Sequence, residues 1–293
     1  MVSTTQSTFV SRLAENHEAK IWFLLRLGIC AEFIGHGAFG IITKAGWLPY
    51  FAVWGIPEGP AWTLMPIVGT MDIILGLMAL FAPRKALFLF MAAWGLMTAF
   101  LRPLAGEPVS ELFERAYNYC VPLAGFLMIL WDAKRHGWWH RVKNVPALGT
   151  ANWKTISVIL RVAIGVYLIG HGAFGLIDGK TGLAGHYDSS GISALFGSTQ
   201  AAMSTIGGFE MLLGLAVLIA PVAPLLFFVC GWKILSESLF LPAVGPFHGT
   251  FEFIERGASM VAPIALYFAM RVIKERKLSR ADSVRETDYV SAK

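Results

Sequence analysis

A seven-residue stretch, Ile34-Gly35-His36-Gly37-Ala38-Phe39-Gly40, occurs twice in this chain, the second time as Ile169-Gly170-His171-Gly172-Ala173-Phe174-Gly175. In both copies an arginine, Arg26 or Arg161, stands ten positions before the histidine, and a long apolar run leads into it. An identity of this length with the same flanks implies one unit used twice, so every motif is to be sought in both copies. The correspondence continues along the chain. Asp72-Ile73-Ile74-Leu75-Gly76-Leu77 answers Glu210-Met211-Leu212-Leu213-Gly214-Leu215, and Trp94 answers Trp232. Glu111-Leu112-Phe113-Glu114-Arg115 answers Glu252-Phe253-Ile254-Glu255-Arg256, and Pro122 answers Pro263.

What the unit folds into follows from its apolar runs. The chain is 56% hydrophobic and only 15% charged, a membrane composition. Eight segments are long enough to reach across a hydrocarbon core about 30 Å thick. They fall at 21–43, 63–82, 84–102 and 114–132 in the first copy, and at 155–177, 204–220, 222–241 and 254–272 in the second. A span must satisfy its backbone hydrogen bonds internally, so each is expected to be a helix. The fold class is therefore all-α: a polytopic membrane protein of eight transmembrane helices in two repeated four-helix units, 21–132 and 155–272. An even number of spans per unit makes the repeat parallel, about an axis along the membrane normal.

Lysine and arginine set the orientation. The N-terminal segment 1–20, Arg84-Lys85, the basic linker 133–154 and the tail 273–293 share one side, which is expected to be cytoplasmic. Trp138, Trp139 and Trp153 are expected as interfacial anchors, and the charged tail as disordered. No removable signal peptide is expected. The net charge of +5 arises from segments flanking the membrane, so it marks topology and the partner is the lipid bilayer, not nucleic acid. The cysteines Cys30, Cys120 and Cys230 form no CxxC pair and read as buried apolar residues.

Gly35-x-Gly37-x-x-Gly40 spells a dinucleotide fingerprint, but it lies in a hydrophobic span and not in a strand-turn-helix. Glycines so spaced in a membrane helix instead let another helix approach closely. His36 and His171 fall in the outer half of the bilayer. Residues four apart share a helix face, which sets Glu32 beside His36 and Tyr167 beside His171. A carboxylate or phenol there would fix the imidazole tautomer, as in a proton relay. A charge in the bilayer is costly unless paired, so Asp72, Glu210, Lys233 and Glu237 should face the interior. Lys233 and Glu237, an i,i+4 pair, have Gly95 and Ala99 as counterparts in the first copy. Glu111, Glu114 and Arg115, like Glu252, Glu255 and Arg256, are expected to cap the outer ends of the fourth and eighth helices. His248 precedes the second motif, but the spacing matches no specific metal signature. Axial haem ligation by the two histidines is the other cofactor alternative.

With Arg26, Gly35, His36, Asp72 and Gly76 in one unit and Arg161, Gly170, His171, Glu210 and Gly214 in the other, the chain resembles the DoxX-like membrane family. The usual member is a single four-helix unit, so this chain would be a fused tandem. The family includes a subunit of a thiosulfate:quinone oxidoreductase, and the resemblance implies the fold more than an activity. It suits a bacterial inner membrane. The leading expectation is a membrane redox component, a quinone-interacting subunit with a polar site in the outer half of the bilayer and a redox partner protein. Glu32–His36 and Tyr167–His171 would move protons there. Asp72, Glu210, Glu114, Arg115, Glu255, Arg256, Lys233 and Glu237 would line the cofactor site and set its field. Two alternatives use the same residues or loops: a proton- or ion-coupled carrier between the repeats, and a binding or chaperone subunit docking through loops 44–62 and 178–203.

Overall fold

A computed structural model of the chain describes residues 16–291. The first fifteen residues of the expected N-terminal segment and the last two of the tail lie outside the described residues. Helix α1 (His17–Ile41) starts where the Asn16 side chain accepts from the amides of Glu18 and Ala19, satisfying donors that a first helical turn leaves unpaired. Short α2 (Leu48–Val53) follows, then α3 (Glu58–Phe81), α4 (Lys85–Leu104), α5 (Ser110–Glu114) and α6 (Ala116–Leu130). The second half runs α7 (Thr150–Leu176), α8 (Thr181–Ser189), α9 (Ile192–Leu195), α10 (Thr199–Ile219), α11 (Ala223–Ser238), α12 (Phe240–Ala243), α13 (Pro246–Glu255) and α14 (Gly257–Ser291). Among the described residues there is no strand.

Six stretches are long and apolar enough to cross a membrane: α1, α3, α4, α7, α10 and the nearly continuous Pro246–Ser279. The eight expected spans are reduced to six by this measure. Helix α6 has 15 residues and α11 has 16, so at 1.5 Å per residue each falls short of a 30 Å core. Two further expectations change. The segment expected to be a disordered tail continues α14 as helix to Ser291. Arg276 docks on Glu18 and on the Leu148 carbonyl, and Glu275 pairs with His17 at 3.2 Å, so the charged turns have partners. Trp138 and Trp139 are exposed, but Trp153 is fully buried and belongs to the core.

The repeated glycines divide their work. Gly37 and Gly40 of α1 lie against Gly69 of α3, and Gly172 and Gly175 of α7 lie against Gly207 and Met203 of α10. The first glycine of each heptapeptide faces the other half of the chain. A Cβ on Gly35 would lie 2.7 Å from the Phe251 carbonyl oxygen, and one on Gly170 2.8 Å from that of Ser110. Each His-bearing helix is thus gripped by the turn before the last helix of the opposite half, which no side chain could permit. Gly170→Val is expected to destabilise by about 1–3 kcal/mol or more, because backbone must move to admit it. Thermal unfolding in detergent checks this, with Gly231→Val, at a site with open space around it, as the neutral control.

The arginines upstream of the histidines close the opposite ends. Arg26 Nε donates to the Ala79 carbonyl at 3.0 Å, and Arg161 donates to those of Val217 (3.2 Å) and Ile219 (2.8 Å). Both therefore satisfy carbonyls in the last turns of α3 and α10, where a cation also suits the helix dipole.

The bundle is apolar outside and charged inside. Ile67, Phe81, Leu212, Ile219, Phe227 and Leu235 are exposed, while Glu32, Asp72, Glu210, Lys233 and Glu237 are buried. This is the distribution of a chain built to sit in a bilayer, with lipid covering the outer faces and ionisable groups turned inward.

Candidate functional site

The buried charges converge between the halves, around the two histidines. His36 Nδ1 lies 3.0 Å from Asp72 Oδ2, and His171 Nδ1 is hydrogen-bonded to Glu210 Oε2. The carboxylate partner of each histidine thus comes from the neighbouring helix, not from the residue four positions earlier on its own. Glu32, expected beside His36, has no hydrogen-bond partner for either oxygen. Tyr167 stacks on His171 at 5.9 Å, but its hydroxyl is directed to Glu237 Oε1 at 3.5 Å. The glycine contacts explain the change. They bring α3 against α1, and α10 against α7, so closely that a side chain across the interface reaches Nδ1 first.

A carboxylate on Nδ1 orients the ring and stabilises it when protonated. Beyond that the two sites differ. The His36 side chain is 20% exposed and that of His171 is 6%. In the second half Glu210 also accepts from Trp232 Nε1 at 2.8 Å and lies 3.4 Å from Lys233 Nζ. Lys233 forms the expected i,i+4 pair with Glu237 at 2.6 Å, and Glu237 pairs with Arg256 at 2.9 Å. This chain of ion pairs fills the space beside His171.

In the first half Gly95 and Ala99 stand at the positions of Lys233 and Glu237, and α6 closes on them: a Cβ on Gly95 would run into the Asn118 carbonyl oxygen. A cavity of about 440 Å³ lies along the adjoining face of α4, against Trp94, Met97, Thr98 and Leu101. Its wall is mostly aromatic and aliphatic: Trp47, Tyr50, Phe51, Trp54, Trp94 and Met97, with His36, Arg102, Arg115 and Asn118 as its polar groups. Trp47 stacks on the His36 ring at 4.7 Å. With Nδ1 held by Asp72, Nε2 is the nitrogen of His36 without a protein partner among the described residues. A concave, largely apolar site with a few convergent polar groups is the usual form of a small-molecule pocket.

A second, more polar chamber of about 280 Å³ adjoins it and is shared by the halves. Both histidines line it, as do Lys44, Lys180, Glu252 and Glu255. The Glu-x-x-Glu-Arg motifs lie at this level, but not in the first turns of the long helices as expected. They end α5 and α13, and the arginine occupies a break before the next helix, with ψ of 18° at Arg115 and 10° at Arg256. The break turns the charges inward. Arg115 pairs with Glu111 at 2.6 Å and Glu114 at 2.8 Å, while Lys180 of the other half also holds Glu111.

Loops 44–62 and 178–203 pack in part against the ends of the long helices, with Trp54 and Leu195 left exposed. Trp47 joins Phe39 and Met65 in one cluster, and Leu183, Tyr187 and Ile192 join Phe174 in another. Lys44 lies over the Phe39 ring at 4.2 Å and Lys180 over that of Phe174 at 3.9 Å. Burial pushes the Lys44 ammonium below its usual range, partly opposed by Glu255 and Glu252. Glu107 closes the first loop, accepting from Tyr50 and pairing with Arg102 at 3.3 Å. Burial pushes its carboxyl upward, but the Tyr50 hydrogen bond and the Arg102 and Arg115 guanidiniums outweigh that and hold it below the usual range. An acid whose pKa is depressed on folding contributes stability above its unfolded value, about 4.3, and that contribution is lost as pH falls through the lower folded value. Tyr50→Phe is therefore expected to flatten the loss of thermal stability on acidification below about pH 4.3. Equal acid profiles for variant and parent would contradict this clamp.

Trp47, Tyr50, Arg102 and Glu107 carry much of this geometry without standing out in the sequence. Trp94 and Trp232 were visible as a matched pair, which was the available signal for a role beside helix two. Among the described residues no three His, Cys, Asp or Glu side chains are grouped to hold a metal ion. The cysteines are free, Cys30 buried and Cys120 and Cys230 half-buried. No protein-family model, curated protein or solved structure matches the chain.

Proposed function

We propose that this is a membrane protein that binds a quinone or quinol headgroup in the cavity beside His36 and exchanges protons with it. The observation that carries the reading is the aromatic-walled cavity of about 440 Å³ set against a His–Asp pair within an apolar bundle. Trp47, Tyr50 and Trp94 offer ring faces to a planar headgroup. His36 Nε2 can accept a hydroxyl proton or donate to a carbonyl, and Asp72 supports the imidazolium that results. Arg102 and Arg115 favour any negative charge that develops on a ring oxygen. A redox partner protein belongs to the same reading.

The architecture is part of the proposal. Helices α6 and α11 would cross together with the six longer stretches, giving two four-helix units of the DoxX-like kind. The basic side, with both termini, would face the cytoplasm of a bacterial inner membrane. Calorimetric titration of the protein in nanodiscs with a short-chain benzoquinone tests the ligand. Binding should saturate at a single site and vanish in Thr98→Trp, which fills the cavity from α4. A titration that does not saturate, or one that Thr98→Trp leaves unchanged, refutes the reading.

The polar chamber between the halves favours a second reading, a proton- or ion-coupled carrier. Flux into proteoliposomes that disappears in Glu237→Gln would place this reading first.

A further inference from the structure

Glu32 is a buried carboxylate, 2% exposed, with no hydrogen-bond partner on either oxygen among the described residues. A buried polar group in this state costs free energy unless something satisfies it. Two small voids meet at this carboxylate. One, of about 30 Å³, lies between the halves and is also lined by Tyr117, whose buried hydroxyl has no partner either. The other, of about 10 Å³, runs from Glu32 to His36 and Asp72, whose Oδ1 is likewise buried and unpaired. About 10–15 Å³ and two or more polar partners suffice for a water molecule. The larger void meets both conditions, and the smaller one stands at the limit.

The charges around Glu32 do not balance. On the larger void Glu32, Glu114 from α5 and Glu255 from α13 meet only the guanidiniums of Arg115 and Arg256. The remaining ionisable neighbours there are the phenols Tyr117 of α6 and Tyr167 of α7, with the neutral Asn118 and Ser259 also on that wall. On the other side stand His36 and Asp72, already paired with each other. The arginines are also committed, Arg115 to Glu111 and Glu114 and Arg256 to Glu237. Three carboxylates thus meet two guanidiniums on this void, one positive charge short, and of the three Glu32 is the one whose two oxygens are both buried and unpaired. A metal ion does not fit, because no three acidic, histidine or cysteine side chains are grouped for one among the described residues. A proton supplies the charge and also turns one orphaned oxygen into a donor.

We infer that Glu32 is a proton-holding site, a neutral carboxylic acid hydrogen-bonded to one internal water, which exchanges its proton with Asp72 through the smaller void. In the exchange the proton leaves the Glu32 hydroxyl, crosses by way of water and lands on Asp72 Oδ1, leaving Glu32 as the carboxylate. Nothing is oxidised or reduced. The inference rests on the geometry around Glu32 and adds a second proton position to the proposed site at His36.

Infrared spectroscopy of the ligand-free protein in nanodiscs tests it. A protonated carboxylic C=O band is expected in the parent at neutral pH, shifted in D2O and absent from Glu32→Gln. Glu32→Gln keeps a neutral side chain of the same shape and should retain the parent's thermal stability, and Asp72→Asn should move the band without removing it. No band lost in Glu32→Gln would overturn the proton site. A band that Asp72→Asn leaves in place would overturn the exchange. Because no ligand is added, both results are independent of whether a quinone binds.

Discussion

Lys233→Met is expected to destabilise the protein by about 3–5 kcal/mol, the usual cost of removing one partner from a buried ion cluster. The ammonium is fully buried, 2.6 Å from Glu237 and 3.4 Å from Glu210. Methionine preserves most of the volume but leaves Glu237 to Arg256 and the Tyr167 hydroxyl, and Glu210 to His171 and Trp232. Most of the loss should return in Lys233→Met combined with Glu237→Leu, since an apolar replacement of a whole buried pair is often neutral. The first copy gives the precedent, because Gly95 and Ala99 hold those positions with no charge at all. Thermal unfolding in a fixed detergent reads both variants. Equal stability of Lys233→Met and the parent would mean that water reaches this cluster.

His36→Ala is the second large effect. Loss of a positioned proton-transfer group slows the step it serves by about 10²–10⁴-fold, so on the proposed quinone reading proton exchange with bound quinol should fall by that range. His171→Ala should leave exchange close to the parent's and lower stability instead, because Glu210 would lose its hydrogen-bonded partner in a closed site. The exposure of the two side chains, 20% against 6%, is the reason for the contrast. Stopped-flow fluorescence of a pH-sensitive dye on reconstituted protein separates them, and equal slowing in both variants would contradict the asymmetry.

How much of this was legible in the sequence depends on the distance over which each interaction acts. The repeated heptapeptide correctly announced close-packed helices, because Gly37, Gly40, Gly172 and Gly175 act through backbone contact that their spacing encodes. The i,i+4 pair Lys233–Glu237 was legible for the same local reason. The histidine partners were not. Helical periodicity sets Glu32 near His36, but the hydrogen bond goes to Asp72, and only the approach of α3 decides that. The Glu-x-x-Glu-Arg motifs read as first-turn caps because acids favour helix starts, whereas the break at Arg115 and Arg256 puts the acids at the end of a preceding helix. The cavity was not legible, because its lining comes from Trp47, Tyr50 and Trp54 on one side and Trp94, Met97 and Thr98 on the other, far apart in the chain. Tail residues after Lys274 look too charged to order alone, yet Arg276 is held by Glu18 and the Leu148 carbonyl from distant parts of the chain.

The central claim is that His36 opens on an apolar cavity, while ion pairs fill the space beside His171. The most direct measurement is a benzoquinone titration of the parent, His36→Ala and His171→Ala in the same nanodiscs, followed by calorimetry. The account predicts one saturable site in the parent, lost or weakened at least tenfold in His36→Ala and retained in His171→Ala. Two sites in the parent, or a loss confined to His171→Ala, would contradict it.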